Sequence, residues 1–579
     1  MRGFITEVAD ALYRRYGDDI SSLRLVFPNR RAQLFFCDAL SSLIHRPLWQ
    51  PAFVSIGELM ARLSGLRGTD RVKLITALYQ VYSRVHDESF DTFYVWGDML
   101  LADFDQIDKY LIDADMLFSN IGDLKALEGD HSYLTDDQIR VIRQFWQSFG
   151  SGSSCSDEQR HFLTIWESLA DIYHRVRESL SAQGLAYEGM VYRAAAERLL
   201  DDEAVALPGD ADGRYVVVGF NALSACEKRL FNRLKKSGRA EFYWDYDSYY
   251  VDHKDYEAGM FLRDNIRDYP PPEARIGHDH FGAPKETVVV PAPSDALQCK
   301  YVHTFLQELI DRGETPDKET AIVLADEAVL LAVLYAVPGA VDQVNMTMGY
   351  PLRQTTADSF VGRLIGLQGR KRVRSGNTWF YHNDALGLLE HPYIRQSQPE
   401  IASALADGIR RSRSVYVRSG LFEVGGTIGQ VFRTTGSWQS LSDYIRGCLA
   451  HVVAQPAGEG QEDAAQRREF FTVIDEHLVR IVNSLADSGL EIPVPVFASL
   501  LRRTLQTLRV PYEGEPLAGV QIMGILETRN LDFKNVLILS VNDDTFPGNR
   551  AVSSSFIPYN LRYAYGLPTP QHHEGVYAY

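Results

Sequence analysis

Three kinds of residue in this chain have types and spacings that could do chemistry. Histidines form an H-x-H pair at His278 and His280 and an H-H pair at His572 and His573, with His391 apart from both. A metal centre needs a third or fourth ligand at coordination spacing, and none follows either pair, so solvated loop histidines are the expectation. Five cysteines, Cys37, Cys155, Cys226, Cys299 and Cys448, are scattered with no C-x-x-C between them. Such a set predicts neither a metal centre nor a disulfide framework, and it suits a reducing, cytoplasmic setting; no cofactor is assigned to the chain. Basic residues cluster at 369–374 (GRKRVR) and at 410–418 (RRSRSVYVR). With Tyr416, these could bind phosphates and stack on bases, or equally form a solvated, salt-bridged surface.

Nucleotide hydrolysis is the remaining chemistry to consider. It needs G-x-x-x-x-G-K-[ST], because backbone N–H groups wrap the phosphates while the Lys and the hydroxyl reach the γ-phosphate and Mg²⁺. The chain has no Gly-Lys dipeptide anywhere. The stretch before Leu23 reads as an amphipathic helix and is too short to supply that strand and loop.

These residues must be positioned by several domains, since 579 residues exceed one hydrophobic core and predict about three to five. A composition of 45% hydrophobic and 23% charged residues is that of a soluble globular protein, and no apolar run approaches the ~18 residues that cross a bilayer, so no membrane partner is expected. A net charge of -17 argues against a surface coated for non-specific nucleic-acid binding, although a narrow basic channel can sit in an acidic body.

Along the chain, β-branched runs alternate with amphipathic helices. LRLVF, a Pro28-Asn29 turn and a helix with Leu34, Phe35, Ala39 and Leu40 inward open an α/β unit. Helical patterns then fill 73–85, 98–111, 137–149, 160–183 and 188–200, interrupted by a GSGSS segment at 150–154. RYVVVGF at 214–220, a helix, and a strand at 240–244 return to α/β. ETVVVPAPS at 286–294, a helix and TAIVLAD predict a second strand–helix–strand unit. A largely helical stretch from 370 to about 507 follows, with an exposed loop at 455–466, and VQIMGIL and NVLILSVND restore the strands.

Four segments carry a resemblance. Residues 520–547 (VQIMGILETRNLDFKNVLILSVNDDTFP) resemble motif V of superfamily I helicases of the UvrD/RecB type, with Leu531-Asp532-Phe533 and Phe546-Pro547 in register. Residues 26–32 (VFPNRRA) are similar to motif Ia, residues 214–234 to the AddB/RexB form of motif II, and residues 320–328 (TAIVLADEA) to motif IV.

The resemblance implies an α/β fold of two RecA-like parallel-sheet domains, each interrupted by a mostly helical insertion. Domain 1A takes 1–70 and 205–285, with insertion 1B at 71–204; domain 2A takes 286–369 and 510–579, with insertion 2B at 370–509. It also implies a single-stranded DNA track: Phe27 stacking on a base, Asn29 and Arg30 facing phosphates, and Thr528, Arg529, Asn530 and Phe533 opposite. Active members follow the motif II strand with Asp-Glu for Mg²⁺ and the attacking water. Gly219 and Phe220 stand there instead, Ala325 replaces a nucleotide-contacting Arg, and Gly524, Leu526 and Asn530 replace Thr, His and Gly of motif V.

The chain thus resembles an inactivated, AddB/RexB-like helicase body of DNA double-strand-break processing, without ATPase or helicase activity. AddB proper keeps its P-loop, from which this chain departs. The implied partners are single-stranded or duplex-end DNA and a PD-(D/E)XK nuclease, in cis or as an AddA-like helicase-nuclease. No nuclease signature lies within the chain, and GVYAY stops inside a predicted helix before motif VI, so either a fragment of a longer protein or a shortened gene is the expectation. The rival classes are a protein-interaction scaffold that no longer binds DNA and, more weakly, an ATPase with an unrecognised site.

Overall fold

The computed structural model describes residues 3–118, 157–201, 213–272, 279–454, 464–511, 517–546 and 555–579. The expected helix at 137–149, the break at 150–154, Cys155 and His278 lie outside them. The fold is α/β with parallel sheets and is mostly helical.

Eight strands make two four-stranded sheets. In the first, β1 (Leu23–Phe27), β2 (Ala52–Ser55), β3 (Arg214–Val218) and β4 (Ala240–Tyr243) lie in the order β2-β1-β3-β4, all parallel. In the second, β5 (Thr320–Leu324), β6 (Val344–Met346), β7 (Val520–Gly524) and β8 (Asn535–Leu539) lie in the order β8-β5-β7-β6, again all parallel. The inner parallel strands are covered on both faces, which is why RYVVV, TAIVL and VQIMG read as continuous apolar runs, while in the edge strand β8 Val536 and Ile538 are 45% exposed.

In the first sheet the two-residue alternation of side chains divides the core. Leu25, Phe27, Val216 and Val218 face the helices Phe4–Tyr16 and Arg30–Leu43, while Val26, Tyr215 and Val217 face the helices on the other side. The helix Arg30–Leu43 buries Ala32, Phe36, Ala39 and Leu40 in that core. Leu34 and Phe35, expected inward, are only half-buried; Phe35 turns instead toward the second sheet, edge-on to Phe533 at 6.2 Å.

Between β2 and β3 the described residues are mostly helical, with long helices Arg71–Tyr82, Phe90–Lys109, Asp157–Ala182 and Glu188–Asp201. Their centre holds a buried charge: Asp108 is fully enclosed, 2.8 Å from Arg193 Nε, and accepts from the Tyr187 hydroxyl at 2.5 Å and from Tyr173. Between β6 and β7 lies a second mostly helical region, whose helix Ala464–Ser488 packs on Arg71–Tyr82 through Lys73–Asp487 at 3.0 Å and a Gln80 amide donating to Ser488 O.

That second region also holds a three-stranded antiparallel sheet, Arg372–Arg374, Asn377–Tyr381 and Tyr416–Arg418. Its strands are too short for helical and strand periods to be told apart in sequence. The hairpin is turned by Ser375 and Gly376, both at positive φ, as a two-residue loop matching the strand twist requires.

One expected strand does not form. Residues 286–290 join no sheet, and Val288, Val289 and Val290 are 67%, 89% and 44% exposed. β-propensity makes a strand only where a neighbouring edge accepts its backbone groups, and among the described residues none does. Among the described residues no helix is long and apolar enough to cross a membrane.

Candidate nucleic-acid interface

In an open parallel sheet, ligands bind at the carboxyl ends of strands where the connections diverge to either side. Here that point lies between β1 and β3, since β2 follows β1 on one flank and β3 lies on the other. Gly219 closes β3 there with φ +70, its N–H donating to Tyr243 O at 2.9 Å.

The space in front of Gly219 is occupied from the second sheet. The turn after β7 runs as a 3-10 helix, Ile525–Thr528, in which the Thr528 hydroxyl donates to Ile525 O at 2.7 Å. It then places Asn530 at φ +63, 3% exposed, with Nδ2 donating to Gly219 O at 3.0 Å. A Cβ on Gly219 would overlap that carboxamide. The Tyr579 hydroxyl, at the end of the helix Pro570–Ala578, donates to Asn530 Oδ1 at 3.3 Å.

Around this plug the two sheets are fastened by further contacts. Asp532 Oδ2 accepts from the Phe4 N–H at 2.8 Å, capping a helix whose own N-cap, Gly3, has no side chain to do so. Lys318 meets Asp38 at 2.8 Å. Arg31 donates to Gln521 Oε1, which also accepts from Asn345 Nδ2 at 3.1 Å, and burial pulls the Arg31 guanidinium down to about 10. Asp245, just beyond β4, is pushed up to about 7 by desolvation and then by the charge of Asp532.

Of the residues expected on a DNA track, Asn530 and Phe533 hold the seam between the sheets, and Phe27, Asn29 and Thr528 serve packing or capping within their own domain. Phe27 is 3% exposed, its ring 5.9 Å from Phe36 and 6.1 Å from Phe53. It is a core residue and offers no face to a base, which corrects the stacking role expected for it. Asn29 caps the helix Arg30–Leu43, accepting from Ala32 N at 2.8 Å; the Arg30 side chain lies outside the described residues. Asn530 is buried, and Phe533 packs on Phe35. Arg529 is half-buried beside Tyr579.

The positions expected to be degenerate are filled by packing. Phe220 is 5% exposed and edge-on to Phe231 at 5.5 Å, and Ala325 is buried at the end of β5, its N–H donating to Leu539 O. Glu227, the glutamate of the motif-II-like segment, is a helix cap: it accepts from Ser224 N at 2.7 Å while the Ser224 hydroxyl accepts from its N–H.

Arg31, Gln521, Asp245 and Tyr579 were missed by sequence reasoning. Arg31 adjoins a residue that was singled out, and Asp532 stood in register in the motif-V-like segment, but nothing local marks Asp245 or Tyr579. Two of the histidines are not the solvated loop residues expected: His391 is 3% exposed, accepts from Tyr393 N, and is pulled down to about 4 by burial, and His572 caps the last helix. Among the described residues no three His, Cys, Asp or Glu side chains converge as metal ligands. Compared with known protein families and with curated proteins, the sequence matches none.

Proposed function

We propose that this chain is a non-motor body of the superfamily I helicase type, its two parallel sheets corresponding to RecA-like domains with insertions. In this reading it holds single-stranded DNA during break processing in the AddB/RexB manner and guides it to a nuclease, in cis or on an AddA-like partner. The observation that carries the reading is Asn530 seated against Gly219. Where a motor of this type would place Mg²⁺ and the attacking water, there is a left-handed glycine and the carboxamide of the opposite sheet. A fold in which that place is filled while the two sheets stay fastened together is suited to holding a strand and not to stepping along it.

A second reading, a protein-interaction scaffold that has lost DNA, draws on the burial of Phe27 and on the net charge of -17. Equilibrium binding separates the two. Fluorescence anisotropy with labelled single-stranded DNA is expected to show binding at ~50 mM salt that weakens with a log–log slope of about -0.7 per phosphate neutralised. A labelled ATP analogue is expected not to bind. Absence of DNA binding at low salt moves the assignment to the interaction scaffold.

A further inference from the structure

The three-stranded sheet in the second helical region turns one face toward the core, and on the other face its arginines are exposed and Trp379, Tyr381 and Tyr416 are half-buried. Side chains alternate along a strand, and Phe380 and Val417 point inward, at 0% and 8% exposure, with Phe380 against Phe422 and Phe432 at 6.1 and 5.8 Å. The outer face therefore carries the residues that flank them. The register puts Arg372, Trp379 and Arg418 in one row across the three strands, with Arg374 beside Asn377 in the row before and Tyr381 beside Tyr416 in the row after.

The contacts agree with that placement. Arg418 Nη2 donates to Asn377 Oδ1 at 2.6 Å, the Arg372 guanidinium lies 4.4 Å from the Tyr416 ring centroid, and the Tyr381 and Tyr416 rings are 5.8 Å apart.

The charge on this face has one sign. None of the three strands contains Asp or Glu. Arg372, Arg374 and Arg418 are exposed, and among the described residues none of them is ion-paired with a carboxylate. Their neighbours in the same sequence clusters differ: Arg370 is held by Asp384, and Arg410 by Glu390 and Asp407. Folding thus separates members of each basic cluster that are held by carboxylates from others that are not, and brings three of the latter together on a surface interleaved with one Trp and two Tyr.

We propose that this outer face is a single-stranded DNA platform, with bases stacking on Trp379 and the Tyr381–Tyr416 pair and phosphates bound by Arg372, Arg374 and Arg418. The proposal rests on the DNA-holding reading and gives it a location away from the seam, where the expected stacking residue is buried. Three arginines without a carboxylate complement a polyanion, and Arg372 and Arg418 stand roughly two strand spacings, about 10 Å, apart. Flat rings on a sheet favour a single strand, because a duplex keeps its base faces inside its own stack. An acidic peptide would satisfy the arginines but gain little from the rings.

The test uses the full chain and a labelled oligothymidylate of about 16 nucleotides. Trp379→Ala is expected to weaken binding roughly 5- to 150-fold with the salt slope unchanged, and Trp379→Phe to restore most of it. Replacing Arg372, Arg374 and Arg418 together with Gln is expected to flatten the log–log salt slope by about 2. Unchanged thermal unfolding of the Trp379→Phe and Gln variants guards against misfolding. If the wild type binds the oligonucleotide and these variants bind equally well, the platform is wrong while the DNA-holding reading stands. If the wild type does not bind, both fall. If polyglutamate competes as well as oligothymidylate and Trp379→Ala has no effect, the face is a site for acidic polypeptides and the proposal is overturned.

Discussion

Gly219 and Asn530 each adopt left-handed backbone, and the Asn530 carboxamide is seated against Gly219. Alanine at Gly219 meets both the positive φ and the Asn530 carboxamide, and its expected cost is roughly 1–3 kcal/mol. Asn530→Gly leaves the Gly219 carbonyl buried without its donor, at roughly 1–3 kcal/mol. In the double variant the overlap is gone, so the two costs should add to less than their sum by at least about 0.5 kcal/mol, as measured by urea unfolding. Strict additivity would mean that the side chain does not occupy that space.

Asp245 supplies a second residue-scale prediction. Its carboxyl is raised from 3.8 to about 7 in the folded chain, so the native state binds a proton that the unfolded state has released. Its contribution is therefore full below about pH 4 and is lost as pH rises through 7. Asp245→Asn should flatten the fall in stability between those values and make the variant more stable than the wild type above pH 7. An unchanged pH profile of the unfolding midpoint would reject this.

At the scale of elements, two helices show how local signals and distant partners combine. The helix Ala225–Lys236 starts with a capping box, so Glu227 can be replaced by Gln with little change, while Ser224→Ala should cost about 1 kcal/mol. The segment around Tyr559–Tyr565 is docked on the helix Phe90–Lys109 by a buried pair: Arg562 and Asp103 are each 3% exposed and 3.2 Å apart. Asp103 also accepts from the Ser555 hydroxyl at 2.6 Å and from Phe556 N at 2.7 Å. Burial raises the Asp103 carboxyl and lowers the Arg562 guanidinium, so desolvation outweighs attraction on both partners. Removing one charge strands the other, and Arg562→Ala should destabilise by about 3–5 kcal/mol. Limited proteolysis should then cut the C-terminal segment first.

For the whole molecule, the fastened seam predicts a chain that does not respond to nucleotide. ATP and Mg²⁺ should leave hydrogen exchange at Asn530 and Gly219 unchanged, and hydrolysis should stay at background. Placing Asp and Glu at 219 and 220 should not rescue it, since the phosphate cradle is also missing. Turnover near the common enzyme scale of ~10 per second in a contaminant-controlled assay would refute the non-motor reading.

What the sequence determined by itself was local. Apolar runs such as RYVVV and TAIVL read as strands, and helical periodicity marks Arg71–Tyr82 and Glu188–Asp201, because such patterns depend on neighbours a few residues away. The absent Gly-Lys was legible for the same reason. Tertiary structure alone decided which side chains remained free. Phe27 became core by meeting Phe36 and Phe53, and Asn530 became a plug by meeting a carbonyl 311 positions away. Residues 286–290 stayed unpaired despite strand-forming valines, because a strand needs an edge to join. The arginines at 369–374 and 410–418 read alike in sequence, and only the register of three short strands separated those held by carboxylates from those on the open face.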